Sequence, residues 1–176
     1  MPRLALLLCI MILTLSARAD IVSDYRLGSG DSIKITVFDE LELSIEIRLS
    51  DAGTVSYPFL GELEVSGLTV GQLEARIVEG LKGDYLVDPK VNVSVAEYRR
   101  FYLNGEVAQP GGFPFIPRIT LRKAVALAGG FTERASRSKI FVIRDNSVIK
   151  GERGEKMDLN DVIKPGDIIT VEQSFF

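Results

Sequence analysis

Histidine and tryptophan are absent from this chain of 176 residues, and cysteine occurs once, at Cys9. Without His there is no Ser-His or Cys-His nucleophile pair, no imidazole general base and no His ligand for zinc. A single Cys cannot close an internal bridge, which excludes a disulfide-stapled scaffold. The 16 Gly show no period of three, which excludes a collagen-like helix. A strong excess of one charge is missing too, since 21 Lys and Arg stand against 24 Asp and Glu for a net of −3. The basic residues are scattered, so nucleic acid, which needs a concentrated positive surface, is not an expected partner. What is present is an ordinary globular balance of 46% hydrophobic and 26% charged residues, too apolar for a disordered chain.

The start of the chain reads as a cleaved signal peptide over residues 1–19. Arg3 supplies the positive end, Leu4 to Leu15 the largely apolar stretch, and Ala17-Arg18-Ala19 the small-x-small cleavage pattern before Asp20. The competing reading, a membrane anchor, needs roughly 20 apolar residues, more than this stretch supplies. Lipidation at Cys9 is not expected, because Leu8 stands where acylation wants a small side chain. Cys9 leaves with the leader, and a cysteine-free mature chain suits an oxidising compartment.

Beyond Asp20 the pattern is that of an α+β protein of two small modules. Gly28-Ser29-Gly30-Asp31 makes a turn into a strand with Ile33, Ile35 and Val37 on one face. Leu43, Ile45, Ile47 and Leu49 alternate with polar residues, and after Asp51-Ala52-Gly53 the set Val55, Tyr57 and Phe59 does the same, which predicts an antiparallel meander with one wet face. Thr69-Val70-Gly71-Gln72 is a capping box, and Leu73, Ile77 and Leu81 recur at helical spacing up to Lys82-Gly83. Pro89 forces Asp88 out of helical geometry, and Val91, Val93 and Val95 form the next strand. A second unit then begins. Phe101 and Leu103 lead through Gln109-Pro110-Gly111-Gly112 to Phe113 and Phe115, and Thr120 caps a short helix stopped by Gly129-Gly130. A hairpin is expected from Ile140–Arg144 to Ser147–Lys150, and a last strand over Ile168–Val171. The Gly-Asp-to-strand echo at Gly30-Asp31 and Gly166-Asp167 is attributed to shared turn chemistry rather than to duplication.

Catalytic chemistry finds little support. Asp39-Glu40 or Glu152 with Glu155 could be nominated for glycoside hydrolysis, but nothing marks either pair as lying in an apolar pocket that would raise a carboxyl pKa. Gly28-Ser29-Gly30 precedes a strand, whereas phosphate-binding glycine loops open a helix. Arg134, Arg137 and Lys139 form the densest basic cluster, for which a solvated loop competes with a polymer or partner contact.

Several motifs in order carry a resemblance: Tyr25-x-Leu27-Gly28-x-Gly30-Asp31, Gly53 to Pro58 with Gly61, Gly67-Leu68-Thr69, Asp88-Pro89 before the Val strand, and Gly105 to Pro110-Gly111. Together with Gly129-Gly130 and Lys164-Pro165-Gly166-Asp167, this order resembles the outer-membrane polysaccharide export family, in its shorter form. The resemblance implies a mixed-sheet export domain with one helix over 20–98, then a soluble-ligand-binding β-grasp (SLBB) domain over 99–176. It implies a periplasmic, ring-forming homo-oligomer associated with the outer membrane, without cofactor, metal or catalysis. Such a ring would take capsular or exopolysaccharide from an inner-membrane copolymerase and hand it to a separate outer-membrane β-barrel. Two rival readings are an exported polysaccharide-binding or assembly module that forms no translocation ring, and a small carbohydrate-active enzyme.

Overall fold

The computed structural model describes residues 25–144 and 154–174. The leader, Cys9, the expected strand Ser147–Lys150 and Glu152 lie outside the described residues. Within them the chain builds two hydrophobic clusters, one from residues 27–93 and the other from residues 101–171, in an α+β arrangement.

The first module is organised around β1 (Ser32–Val37), which pairs antiparallel with β2 (Ile45–Arg48) on one side and with β5 (Val91–Glu97) on the other. Ile33 stands opposite Ile47 and Val95, and Ile35 opposite Ile45 and Val93, so the alternation read from the sequence becomes one buried face. Against that face packs α1 (Val70–Leu81). Thr69 accepts from the Gln72 amide at 3.2 Å and donates its own amide to the Gln72 side chain at 2.9 Å, the expected capping box. Leu73, Ile77 and Leu81 are fully buried, each stabilising the fold by about 1.5–3 kcal/mol relative to exposure.

The expected meander is divided. β3 (Thr54–Tyr57) pairs with β4 (Gly61–Glu64) as a separate two-stranded ribbon rather than with β2. Phe59 is not a strand residue. It sits in the β3–β4 turn with φ 63°, is 63% exposed and stacks on Tyr85 at 4.8 Å. Leu43 is buried, but in a single 3-10 turn (Leu41–Leu43) rather than in β2. Both sheets of this module are antiparallel.

The mixed sheet belongs to the second module. Its strand order is β7-β6-β10-β8-β9, formed by β6 (Phe101–Gly105), β7 (Gly111–Phe113), β8 (Ala135–Ile143), β9 (Glu155–Lys156) and β10 (Ile168–Gln173). The chain returns to place β10 in the centre, parallel to β6 and antiparallel to β8. One face is covered by α2 (Leu121–Leu127), whose Leu121, Ala124 and Val125 pack on Phe101, Leu103, Ile140 and Ile169. Thr120 occupies the N-cap position without a side-chain bond, and the helix closes through bonds from Gly129 and Gly130 to the Ala126 and Val125 carbonyls. Phe115 lies beyond β7 rather than in it, and the described partner of β8 on its outer side is β9. Gly105 (φ 82°) is tightly constrained: a Cβ there would stand 2.1 Å from the Val171 carbonyl oxygen.

Candidate functional site

The two clusters meet at a three-residue connection, Tyr98-Arg99-Arg100, between the end of β5 and the start of β6. Each side presents a Gly-Asp turn to it. In the first, the Asp31 amide donates to the Gly28 carbonyl at 3.1 Å while the Gly28 amide donates to Asp31 Oδ2 at 2.9 Å, with Gly30 at φ 87°. In the second, the Asp167 amide donates to the Lys164 carbonyl at 3.2 Å and the Lys164 amide to Asp167 Oδ2 at 2.8 Å, with Gly166 at φ 84°. The turns share the same hydrogen bonds, whereas the strands they feed differ in setting: β1 has two antiparallel neighbours and β10 one of each kind.

Asp31 is fully buried, a position a carboxylate tolerates only when its acceptors are filled. Besides the Gly28 amide, it accepts from the Tyr25 hydroxyl, the Arg99 amide at 2.8 Å and Arg99 Nη1 at 3.1 Å. Arg99 also donates to the Tyr25 hydroxyl at 3.1 Å and lies 6.0 Å from its ring centre. Burial first, and then the Asp31 carboxylate that takes its hydrogen bond, push the Tyr25 phenol far above its ordinary value, so it stays a neutral donor. Asp167 is 1% exposed, and burial raises its carboxyl pKa against the opposing pull of the Lys164 amide and of Arg144, Lys164 and Arg99.

Between the turns opens a cleft of about 1170 Å³ that draws on both modules and on the connection. Its cationic side chains are Arg26, Arg48, Arg99, Arg100, Arg144 and Lys164, and its acids are Glu97 and Asp167. Aromatic residues cross it in an edge-to-face chain. Tyr25 meets Tyr98 at 5.0 Å and 79°, and Tyr98 meets Phe115 at 5.3 Å and 69°. Tyr102 adds a ring that is 46% exposed. A smaller groove of about 430 Å³ beside α2 is lined mainly by apolar residues such as Ile116, Ile119 and Leu127.

Of the residues singled out from sequence, Tyr25, Gly28 and Gly30 line this cleft and Asp31 lies directly beneath it. Gly53, Gly61, Gly67, Gly105, Gly129 and Gly130 take positive φ at or beside the ends of strands and helices. Pro58 belongs to the β3–β4 turn, Pro110 precedes β7 and Gly111 opens it, Pro89 is buried before β5 and Asp88 is exposed. Arg134 just precedes β8 and Arg137 and Lys139 lie on it, in a strand rather than the expected loop and apart from the cleft: Arg134 donates to Gln173 at 3.1 Å, and Arg137 lies 5.7 Å from the Phe131 ring centre. Asp39 and Glu40 are exposed in the turn after β1. Among the described residues no cluster of metal-ligating side chains occurs, and no helix is long and apolar enough to cross a membrane. The cleft residues sequence reasoning passed over are Tyr98, Arg99, Arg100 and Tyr102. The signal was local: Arg interleaved with Tyr and Phe between two valine- and leucine-bearing strands.

Comparison with known proteins gives the same division. Residues 19–96 match the polysaccharide biosynthesis/export protein family, and residues 100–158 match the SLBB domain. The chain belongs to the outer-membrane polysaccharide export family. Within that family it is 36% identical over 150 residues to the exopolysaccharide production protein ExoF of Rhizobium meliloti, a match covering 77% of this chain and 34% of ExoF. It is 28% identical over 190 residues to the EPS I polysaccharide export outer membrane protein EpsA of Ralstonia nicotianae, covering 85% of this chain and 47% of EpsA. It is 28% identical over 128 residues to the polysialic acid transport protein KpsD of Escherichia coli, covering 71% of this chain and 23% of KpsD. The chain thus spans less than half the length of these relatives. The polysaccharide export family is one of transport proteins rather than of enzymes.

Proposed function

We propose that this chain is a periplasmic, outer-membrane-associated component of a capsular or exopolysaccharide export machine. In this reading copies of the chain assemble as a ring, accept polymer from an inner-membrane copolymerase and pass it to a separate outer-membrane β-barrel. The export domain spans 20–98 and the SLBB domain 99–176. The observation that carries the reading is the order of export and SLBB modules along one chain, shared with relatives whose names describe exopolysaccharide production and polysaccharide export. No catalytic step is assigned.

The test is a deletion strain assayed for surface polysaccharide while inner-membrane synthesis is monitored. Synthesis should continue and surface polymer should fall, with polymer accumulating inside the outer membrane. Crosslinking in intact cells should give a ladder of homo-oligomers together with copolymerase adducts. Undiminished surface polymer would refute the export role.

The alternative is a polysaccharide-binding or assembly module that forms no ring. It is favoured by the cleft, whose cationic and aromatic lining offers a binding surface for a sugar chain. A protein that stays monomeric in the crosslinking experiment while export is active would select it.

A further inference from the structure

We propose that the cleft between the modules binds an acidic segment of a saccharide chain, with Arg100 and Lys164 as its charged contacts and Tyr102 as its exposed aromatic contact. The proposal rests on the polysaccharide export reading above and names the chemical class that its cleft would take.

Charge is the first argument. The chain as a whole carries a net of −3, yet the cleft gathers six cationic side chains against two acids. The acids nearby are already engaged: Asp31 holds Arg99 at 3.1 Å, Glu97 holds Arg48 at 2.6 Å, and Glu155 stands 3.8 Å from Arg144. Arg26, Arg100 and Lys164 have no carboxylate within ion-pair distance among the described residues. Arg26 is directed at the Gly67 carbonyl at 2.8 Å, whereas Arg100 and Lys164 are exposed at the two sides of the second Gly-Asp turn. They are tied to one place by the backbone, since the Gly166 amide donates to the Arg100 carbonyl at 3.2 Å. An acidic ligand would therefore meet cations whose chain positions are already fixed, so little ordering remains to oppose binding.

The aromatic lining is the second argument. A pyranose ring has a C–H face that packs on a flat aromatic surface and a hydroxyl edge that seeks hydrogen-bond partners. Tyr98, Tyr102 and Phe115 supply the flat surface, and Arg and Tyr groups supply donors around it. Size is the third. Small-molecule pockets run to about 300–1,000 Å³, and this cleft of about 1170 Å³ exceeds that range, as a run of several sugar units requires.

The test uses the full chain, titrated by calorimetry with oligogalacturonate, oligosialic acid, a neutral malto-oligosaccharide of equal length and polyglutamate. At low salt an acidic oligosaccharide should bind at least about tenfold more tightly than the neutral one, and its affinity should fall as salt rises. Arg100→Ala with Lys164→Ala should weaken that binding about tenfold or more, since each removes a charge-assisted contact. Both side chains are exposed and, among the described residues, free of ion pairs, so the double variant should stay folded and melt within about 4 °C of wild type, the small loss coming from Lys164 beside the buried Asp167. Lys123→Ala, in the groove beside α2, should bind as the wild type does.

Failure to bind either acidic oligosaccharide, equal affinity for the neutral one, or full binding by the double variant would overturn the proposal. Polyglutamate binding as tightly as the sugars would overturn it in favour of a surface for acidic peptides. Expressed in the deletion strain, the double variant should accumulate normally and restore less surface polymer than wild type. If the deletion itself leaves surface polymer intact, the export reading fails, and the titrations still decide what the cleft binds.

Discussion

Replacing Asp31 by Asn tests how much of the fold depends on one buried carboxylate. Oδ2 accepts from the Tyr25 hydroxyl, the Gly28 amide and Arg99 Nη1, and Oδ1 accepts from the Arg99 amide. An amide can keep only one of these oxygens. In its better orientation it retains the three Oδ2 bonds in weaker, uncharged form and sets an N–H against the Arg99 amide. Hydrogen bonds to charged groups contribute about 1.5–3 kcal/mol each, and a buried pair that loses one partner loses about 3–5 kcal/mol. The Arg99 side chain is 19% exposed, so partial hydration offsets some of that loss. The expected destabilisation is about 3 kcal/mol, or roughly 6–12 °C in melting temperature for a chain of this size. Thermal and urea unfolding followed by far-ultraviolet circular dichroism at neutral pH read it directly. Removing Arg99 first, as Arg99→Leu, should make the Asp31→Asn step smaller, because the stranded cation is then gone. An Asp31→Asn protein that melts within about 2 °C of wild type would refute this account.

Asp167 should behave in the opposite sense. Its folded pKa is raised by burial above the unfolded value, so its contribution to stability is full below the unfolded pKa and is lost as pH rises through the folded one. Asp167→Asn, which keeps a neutral acceptor for the Lys164 amide, should therefore gain on wild type between pH 4 and pH 7 in paired melts, and a loss over that interval would contradict it. Gly105→Ala should destabilise by several times the roughly 1 kcal/mol of an ordinary glycine replacement, since its Cβ meets the Val171 carbonyl, and normal urea unfolding would count against the parallel β6–β10 pairing. Thr69→Ala should lower stability by about 1 kcal/mol and Thr120→Ala by much less, because only Thr69 makes a side-chain cap; equal losses would argue against this difference between the helix starts.

The elements readable from sequence were those whose cause is local. Thr69 and Gln72 are three residues apart, Leu73, Ile77 and Leu81 repeat at the helical period, and Ile33, Ile35 and Val37 alternate, so α1 and β1 follow from neighbouring residues. Partner choice is not local. Val55 and Tyr57 show the same alternation whether they pair with β2 or β4, and Phe59 continues that alternation by identity while its backbone has already turned. Nothing in Ile168–Val171 says that it lies between β6 and β8, because that position is fixed by packing across most of the second module. The candidate site follows the same rule. Tyr25, Gly28, Gly30 and Asp31 were visible as a motif, but Arg99, which meets Asp31 from 68 positions away, carries no mark of it in the sequence.

The connection between the modules has a mechanical consequence. The Arg99 amide is held by Asp31 of the first module, the Arg100 carbonyl by Gly166 of the second, and the Tyr102 amide by the Asp167 carbonyl. Successive residues are thus anchored to opposite bodies, leaving almost no slack in the tether. A load applied to either body reaches the other through a short, anchored connection rather than through a compliant leash. The two turns thus clamp one short coupling from both sides, so that a shift of either turn is passed to the other along a single peptide unit.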